Sequence, residues 1–415
     1  MKKGVFIYSN FDFSVKNAGV TRMKYYAQAI ANTNTSVYLV SCSTSAINEQ
    51  AFKEIYPNVF ILDNNTLTSS FSGTYTFIKN LYQFSKKATQ QQTYLFYPSP
   101  LVYLEIIAMY YLKFLKKCTV FYELNEIRKY TSTFHEPMSL ARPMYSVKKL
   151  IYKTTFSAME GLLRFYDGLI CISTAIETYG KRFNSTTIRI PILTNPNLEK
   201  EFTNETYSNA ESFNIGFSGS IHPIKENLNN FFQVLGRLHK SGYKFTLNLC
   251  GPIKKAHQTE LFDKLAETLN IKTITNYYGN LDAKNLSTFL SQQQLLVIPR
   301  GYTPQNNYGF STKLSDYLDH AKPVLVTDVS DNKHFIKDGV NGFIVPTDDN
   351  DKMYEKLAFI IENYDEMHED IQQRATETSR QHFYFRNFHD SFHTFFFNFK
   401  SLQENKKNSR CNHQN

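Results

Sequence analysis

Leu295-Leu296-Val297-Ile298-Pro299-Arg300-Gly301-Tyr302 leads through a polar loop into Asn307-Tyr308-Gly309-Phe310-Ser311-Thr312-Lys313-Leu314-Ser315-Asp316-Tyr317-Leu318. Four consecutive apolar residues closed by proline read as a strand buried on both faces, as in the middle of a parallel sheet. Arg300 then emerges at the strand's carboxyl end, where ligands of open α/β sheets bind. Ser311 or Thr312 can cap the helix that follows. Lys313 falls in its first turn, and Asp316 lies one turn later on the same face. Ala321-Lys322-Pro323 and a second apolar run at 324–327 complete a strand–helix–strand unit.

The unit recurs in both directions along the chain. Around it, strands are expected at 214–217, 245–249, 273–277 and 342–345, with helices at about 226–240, 259–269, 313–320 and 351–362. The first half repeats the pattern with strands at 5–9, 36–41, 59–62, 94–97, 119–123 and 169–172. Val20, Met23, Ala27 and Ile30 share one face of an amphipathic helix there. The proline- and asparagine-rich segment 190–197, followed by a polar run, breaks the series. The expectation is two Rossmann-like, doubly wound parallel-sheet domains, 1–195 and 196–380, facing a central cleft. Eight phenylalanines between 383 and 399 predict an aromatic helix over 381–402 that buries itself, most simply on the first domain. Membrane contact helped by Arg386 and Lys400 is the sharper alternative, and 403–415 reads as a flexible tail.

At 415 residues, 42% hydrophobic and 20% charged, the chain is globular and long enough for two cores. Its net charge of +9 suits an acidic partner such as nucleotide phosphates or an anionic membrane. Five dispersed cysteines without a CxxC pair read as free thiols in a reducing compartment. The most hydrophobic helical stretch, 101–115, contains Glu105 and Lys113 and is too short to span a bilayer. With no export signal in the sequence, a cytoplasmic protein is expected, soluble or on the inner membrane face. Arg142, Lys148, Lys149 and Lys153 lie in one helix-like stretch with Met144, Leu150 and Ile151, suited to anionic lipid.

Two further loops carry chemistry. Asn17-Ala18-Gly19-Val20-Thr21-Arg22 joins the first strand to a helix, where glycine permits close backbone approach and helix N–H groups face an anion. Arg22 reads equally well as a solvated helix charge. Phe217-Ser218-Gly219-Ser220-Ile221-His222-Pro223-Ile224-Lys225-Glu226-Asn227 repeats that logic, with Lys225 expected at the start of the next helix, beside a diphosphate.

On these residues the chain resembles family-four retaining glycosyltransferases of the GT-B class. The run Phe310 to Leu318 looks like the F-P-T-K-L-S-E-Y-L signature of bacterial surface-polysaccharide members. Ile170-Cys171-Ile172-Ser173, Phe217-Ser218-Gly219-Ser220 and Asp338-Gly339-Val340-Asn341-Gly342-Phe343 fit the same family, and Tyr122-Glu123-Leu124-Asn125-Glu126 looks like its first-domain cleft loop.

The resemblance implies a nucleoside-diphosphate sugar donor of UDP or GDP type, with no metal and no other cofactor. Lys225, Arg300 and Lys313 would stabilise the departing diphosphate. Gly19, Gly219, Ser220 and Thr312 would line the donor site, and Asp316 would take the place of a ribose-binding glutamate. Asn125, Glu126 and Tyr308 would meet the sugar or the acceptor, a glycan that suits a lipid carrier. Three positions depart from the family: Tyr308 replaces the first glutamate of an E-x7-E pair, Ser220 a phosphate-binding arginine and Asn125 a first-domain histidine. Those changes leave room for a non-catalytic sugar-nucleotide or glycan-binding protein, and a sugar-nucleotide epimerase is the nearest enzyme alternative. Dispersed basic residues and the absence of a recognition motif argue against nucleic acid.

Overall fold

A computed structural model describes residues 3–9, 11, 13, 18–41, 52–62, 92–98, 102–130, 143–195 and 212–398. The chain divides into two units, Met1–Asn195 with Tyr384–Asn415, and Pro196–Phe383.

The first unit is built on strands β1 (Lys3–Ser9), β2 (Thr35–Ser41), β3 (Phe52–Tyr56), β4 (Val59–Leu62), β5 (Thr93–Phe96), β6 (Thr119–Leu124), β7 (Gly168–Cys171) and β8 (Thr187–Arg189). They form one sheet in the order β3-β4-β2-β1-β5-β6-β7-β8. Every neighbouring pair is parallel except β3 with β4. Helices α1 (Ala18–Ile30), α2 (Val102–Tyr110) and α3 (Pro143–Gly161) belong to this unit. The apolar runs behind β1, β5 and β7 are buried, whereas the edge strand β3 exposes Lys53 and Glu54, a common way of blunting a sheet edge.

The second unit has six parallel strands: β9 (Phe213–Ser218), β10 (Phe245–Cys250), β11 (Thr275–Tyr277), β12 (Leu295–Ile298), β13 (Val324–Thr327) and β14 (Phe343–Val345). Their order is β11-β10-β9-β12-β13-β14. Chain direction across the sheet reverses beside β9, so the ligand crevice of such a fold falls beyond the ends of β9 and β12. Its helices include α4 (Leu228–Lys240), α5 (Pro304–Tyr308), α6 (Thr312–Asp319) and α7 (Asn350–His382).

The aromatic stretch expected as one helix over 381–402 is divided. Phe383 packs with Phe310 and Phe335 in the second unit. After a 3-10 turn at Phe385–Phe388, helix α8 (His389–Phe397) lies against α1 in the first. Phe392 meets Tyr26 at 5.0 Å, and Phe395 and Phe396 sit on Phe121. So many aromatic rings cannot share one helical stripe, and the break lets two cores take them. Buried in this way, Phe392, Phe395 and Phe396 offer nothing to a membrane.

The expected helix at 259–269 is a short helix, Lys255–Gln258, a π turn at Thr259–Leu265 and a last turn at Ala266–Thr268. The one expected at 351–362 continues to His382. Cys118, Cys171 and Cys250 are buried free thiols. Cys42, Cys411, Arg142, Lys400, the linker 196–211 and the tail 403–415 lie outside the described residues.

Candidate active site

β9 and β12 deliver two loops to the switch point of the second sheet. Gly219 follows β9 with φ +116, in the left-handed region. A Cβ there would come within 2.6 Å of the Lys313 Cε, so glycine is required both by the backbone and by the passage of Lys313. Ser220, next in the loop, is exposed.

The chain then turns through 223–227, where Asn227 adopts φ 55 as the N-cap residue, and α4 begins only at Leu228. Lys225 therefore stands in the turn, not in the first turn of the helix as expected. Its N–H donates to His222 Nδ1 at 3.1 Å, and its carbonyl accepts from buried Asn306 at 2.8 Å. Asn306 also donates to the Gly301 carbonyl, which ties this turn to the loop after β12.

Glu226 is the centre of the arrangement and is only 1% exposed. Arg300 grips it twice, Nε to Oε2 at 3.0 Å and Nη2 to Oε1 at 2.9 Å. Lys313 Nζ lies 3.0 Å from the same Oε1 and 4.9 Å over the ring of Phe217. Burial alone would raise the Glu226 carboxyl, but the charges of Lys313 and then Arg300 outweigh it and hold the group well below the usual range. Lys313 also shifts downward, but for an ammonium that disfavours the charged form. Burial, helped by repulsion from Arg300 and Lys225 and opposed by Glu226, pushes its ammonium down to about 8. A single carboxylate thus serves two cations, buried Lys313 and largely buried Arg300, and the cluster carries surplus positive charge.

The sequence pattern set Lys313 with Asp316. The structure gives Lys313 the distant Glu226 as ion-pair partner and leaves Asp316 exposed one turn along α6. Thr312 opens that helix, and Ser311 at its N-cap makes no capping bond. The Ser311 Oγ is buried without a hydrogen-bond partner beside the helix N–H groups. Tyr317 fixes α6 to the end of β9, its hydroxyl accepting the Ser218 N–H at 2.9 Å. Tyr308 ends α5 and is half-buried. Cations, helix N–H groups and an unpartnered hydroxyl at a sheet switch point form a setting that favours an anionic group.

The Glycosyl transferases group 1 family matches residues 199–378. The match falls within the second unit and spans less than half of the chain. The chain's fold agrees over nearly the whole length with solved GT-B structures. Sucrose-phosphate synthase from Thermosynechococcus elongatus superposes with a TM-score of 0.74 at 14% identity, covering 97% of this chain and 100% of that one. HepE from Anabaena, solved with UDP-glucose, gives 0.63 at 15% identity, covering 94% and 98%. The lipopolysaccharide outer core galactosyltransferase WaaB gives 0.58 at 15%, covering 96% and 99%. No curated protein sequence matches.

In the first unit, Gly19 is the second residue of α1, and a Cβ there would lie 2.9 Å from Phe11 and 3.3 Å from the Tyr97 hydroxyl. Asn125, half-buried just after β6, hydrogen-bonds Tyr97, while Glu126 is exposed. Arg22 is no solvated helix charge. It is 3% exposed, with Nε 2.5 Å from Glu123 Oε1 and Nη1 and Nη2 donating to the carbonyls of Pro191 and Ile190. Lys149, expected to face lipid, is buried near the Tyr145 ring, whereas Lys148 remains exposed. Among the described residues no helix is long and apolar enough to cross a membrane, and no group of three or more His, Cys, Asp or Glu could hold a metal ion.

Proposed function

We propose that this protein is a retaining glycosyltransferase that moves a sugar from a nucleoside diphosphate sugar to a lipid-linked glycan at the cytoplasmic membrane face, in surface polysaccharide assembly. The surplus positive charge of the Glu226–Arg300–Lys313 cluster carries the donor part of this reading: two cations on one carboxylate favour a second anion. A UDP-glucose complex of HepE supports a donor of the same kind. Gly219, Ser220, Thr312 and Ser311 would receive the diphosphate, and Asp316 the ribose. Lys225 and Lys313 would stabilise the charge that develops as the bond from the anomeric carbon to the diphosphate breaks, and Arg300 would keep Glu226 in place. Electrostatic preorganisation of this kind is worth about 3 kcal/mol per well-placed donor. The acceptor hydroxyl would attack from the face the diphosphate leaves, giving its proton to the departing phosphate. Gly19, Asn125 and Tyr308 would line the acceptor and sugar side, with Glu126 directed to the opposite face of the first sheet. Exposed Tyr110, Leu115, Met144, Val147 and Ile151 together with Lys148 suit an anionic membrane surface.

Proton NMR of donor turnover tests the reading. UDP-glucose, UDP-galactose, UDP-N-acetylglucosamine and GDP-mannose are each incubated with the enzyme, and the first anomer released is identified. Release of the α-anomer from an α-linked donor is expected. The β-anomer would contradict retention, and binding without any turnover would favour the non-catalytic alternative that Tyr308 raises.

A further inference from the structure

A second recess lies in the first unit, between α2, the end of β6 and the C-terminal part of α3. It encloses about 550 Å³, part of it open to solvent. Tyr122, Leu124 and Glu126 alternate along β6 and its exit and so share one face of the sheet. Glu123 and Asn125 belong to the other, where Glu123 meets Arg22 and Asn125 meets Tyr97. The recess is therefore separate from the Gly19 side of the unit.

Its walls combine apolar surface with carboxylates. Phe156 and Met159 of α3 stand opposite Leu124 and Tyr166, and Glu105, Glu126 and Glu160 face the same space with a single guanidinium, Arg128. Glu105 is buried within 3.5 Å of the Tyr122 hydroxyl. Glu160 is the most telling. Its Oε2 accepts from Lys129 at 2.8 Å and from the Tyr179 hydroxyl, yet its Oε1 is buried with no partner. A desolvated carboxylate oxygen is unfavourable until a donor reaches it.

Three carboxylates against Arg128 and the Lys129 that pairs with Glu160 leave net negative charge, which disfavours an anion. An unpartnered carboxylate oxygen calls for an O–H or N–H donor, and the aromatic and methionine wall calls for an apolar face. A pyranose ring offers both, hydroxyls at its rim and C–H groups on its face. We infer that this recess is a subsite for a neutral or amino sugar ring of the acceptor glycan, with Phe156 and Met159 against the ring and Glu160 Oε1 accepting a sugar hydroxyl. The inference rests on the glycosyltransferase reading and extends it to the acceptor's class.

The chain contains no tryptophan, so Phe156→Trp places a lone indole in the wall, read selectively by excitation at the red edge, where tyrosine does not absorb. The full-length variant is titrated with methyl glycosides of glucose, galactose, mannose, N-acetylglucosamine and glucosamine, and with glucose 1-phosphate and 1-octanol. At least one glycoside should give a saturable emission change, and glucose 1-phosphate should bind at least tenfold more weakly. Adding Glu160→Gln should raise the dissociation constant tenfold or more. Lys129→Met breaks the same ion pair but keeps the carboxylate, and it should stay within threefold. The inference is overturned if no glycoside gives a saturable change, if octanol alone does, or if Lys129→Met loses as much affinity as Glu160→Gln. Should Glu160→Gln not fold, the Phe156→Trp titration decides alone. UDP and GDP thermal shifts on the Phe156→Trp protein separate the two readings. Nucleotide binding without glycoside binding sinks the subsite only, and glycoside binding without nucleotide binding sinks the donor site only.

Discussion

Binding of a nucleoside diphosphate should drive a proton onto Lys313. A lysine in an unfolded chain titrates near about 10.4, but in the folded site Lys313 titrates at about 8, because burial and two neighbouring cations oppose its charge. At pH 8 about half of the molecules then hold it neutral, and at pH 9 about nine-tenths do. A bound diphosphate balances the cluster and returns the ammonium to its ordinary range. Proton uptake on binding should be about 0.1 at pH 7, 0.5 at pH 8 and 0.9 at pH 9, and the dissociation constant should rise about twofold at pH 8 and about tenfold at pH 9. The ligand contributes little, since a terminal phosphate titrates near about 6. Titration calorimetry in buffers of different ionisation enthalpy gives the uptake directly, with Lys313→Met as the control that should show none. The ligand-free protein supplies a second reading of the same group. Its folded value lies below its unfolded one, so its penalty is full below pH 8 and is relieved as pH rises toward about 10.4. Wild type should gain stability over Lys313→Met across that window. Zero uptake at pH 9, or uptake unchanged in Lys313→Met, would refute the reasoning.

Glu226→Gln leaves Arg300 and Lys313 buried without their anion, and urea unfolding should show a loss of about 3–5 kcal/mol. Gly219→Ala puts a side chain on a left-handed residue and against Lys313. It should lose about 1–3 kcal/mol of stability and, in a thermal-shift titration, most of the nucleotide response. In the first unit, Arg22→Met strands buried Glu123 and releases the carbonyls of Ile190 and Pro191. Calorimetry should register about 3–5 kcal/mol, with a smaller loss in the Arg22→Met, Glu123→Gln pair.

The alternation of apolar runs and amphipathic stretches made both sheets legible, because parallel strands buried on two faces are written as unbroken apolar segments. β3 and β8 escaped that reading. They are short edges with half-exposed faces, and Lys53, Glu54 and Arg189 hide the pattern. Arg300 and Lys313 were visible as cations at the end of a strand and the start of a helix. Glu226 was not, because its meaning lies in partners far away in the chain, and nothing local distinguishes it from a surface glutamate. Lys225 was placed on a helix because the left-handed Asn227, which delays α4, is a property of backbone geometry that the residue type only permits. Arg22 looked solvated for a related reason: its two carbonyl acceptors come from the other end of the unit.

The central claim is that the Glu226–Arg300–Lys313 cluster receives a nucleoside diphosphate. The most direct test is the unfolding temperature of wild type and Lys313→Met with saturating UDP, GDP, ADP and CMP. At about a hundred times the dissociation constant a ligand adds roughly 2.7 kcal/mol, a shift of a few degrees in a chain of this length. One diphosphate should stabilise the wild type by that amount and Lys313→Met by clearly less at the same concentration. A wild type indifferent to all four nucleotides, or a variant that responds as strongly as the wild type, would contradict the account.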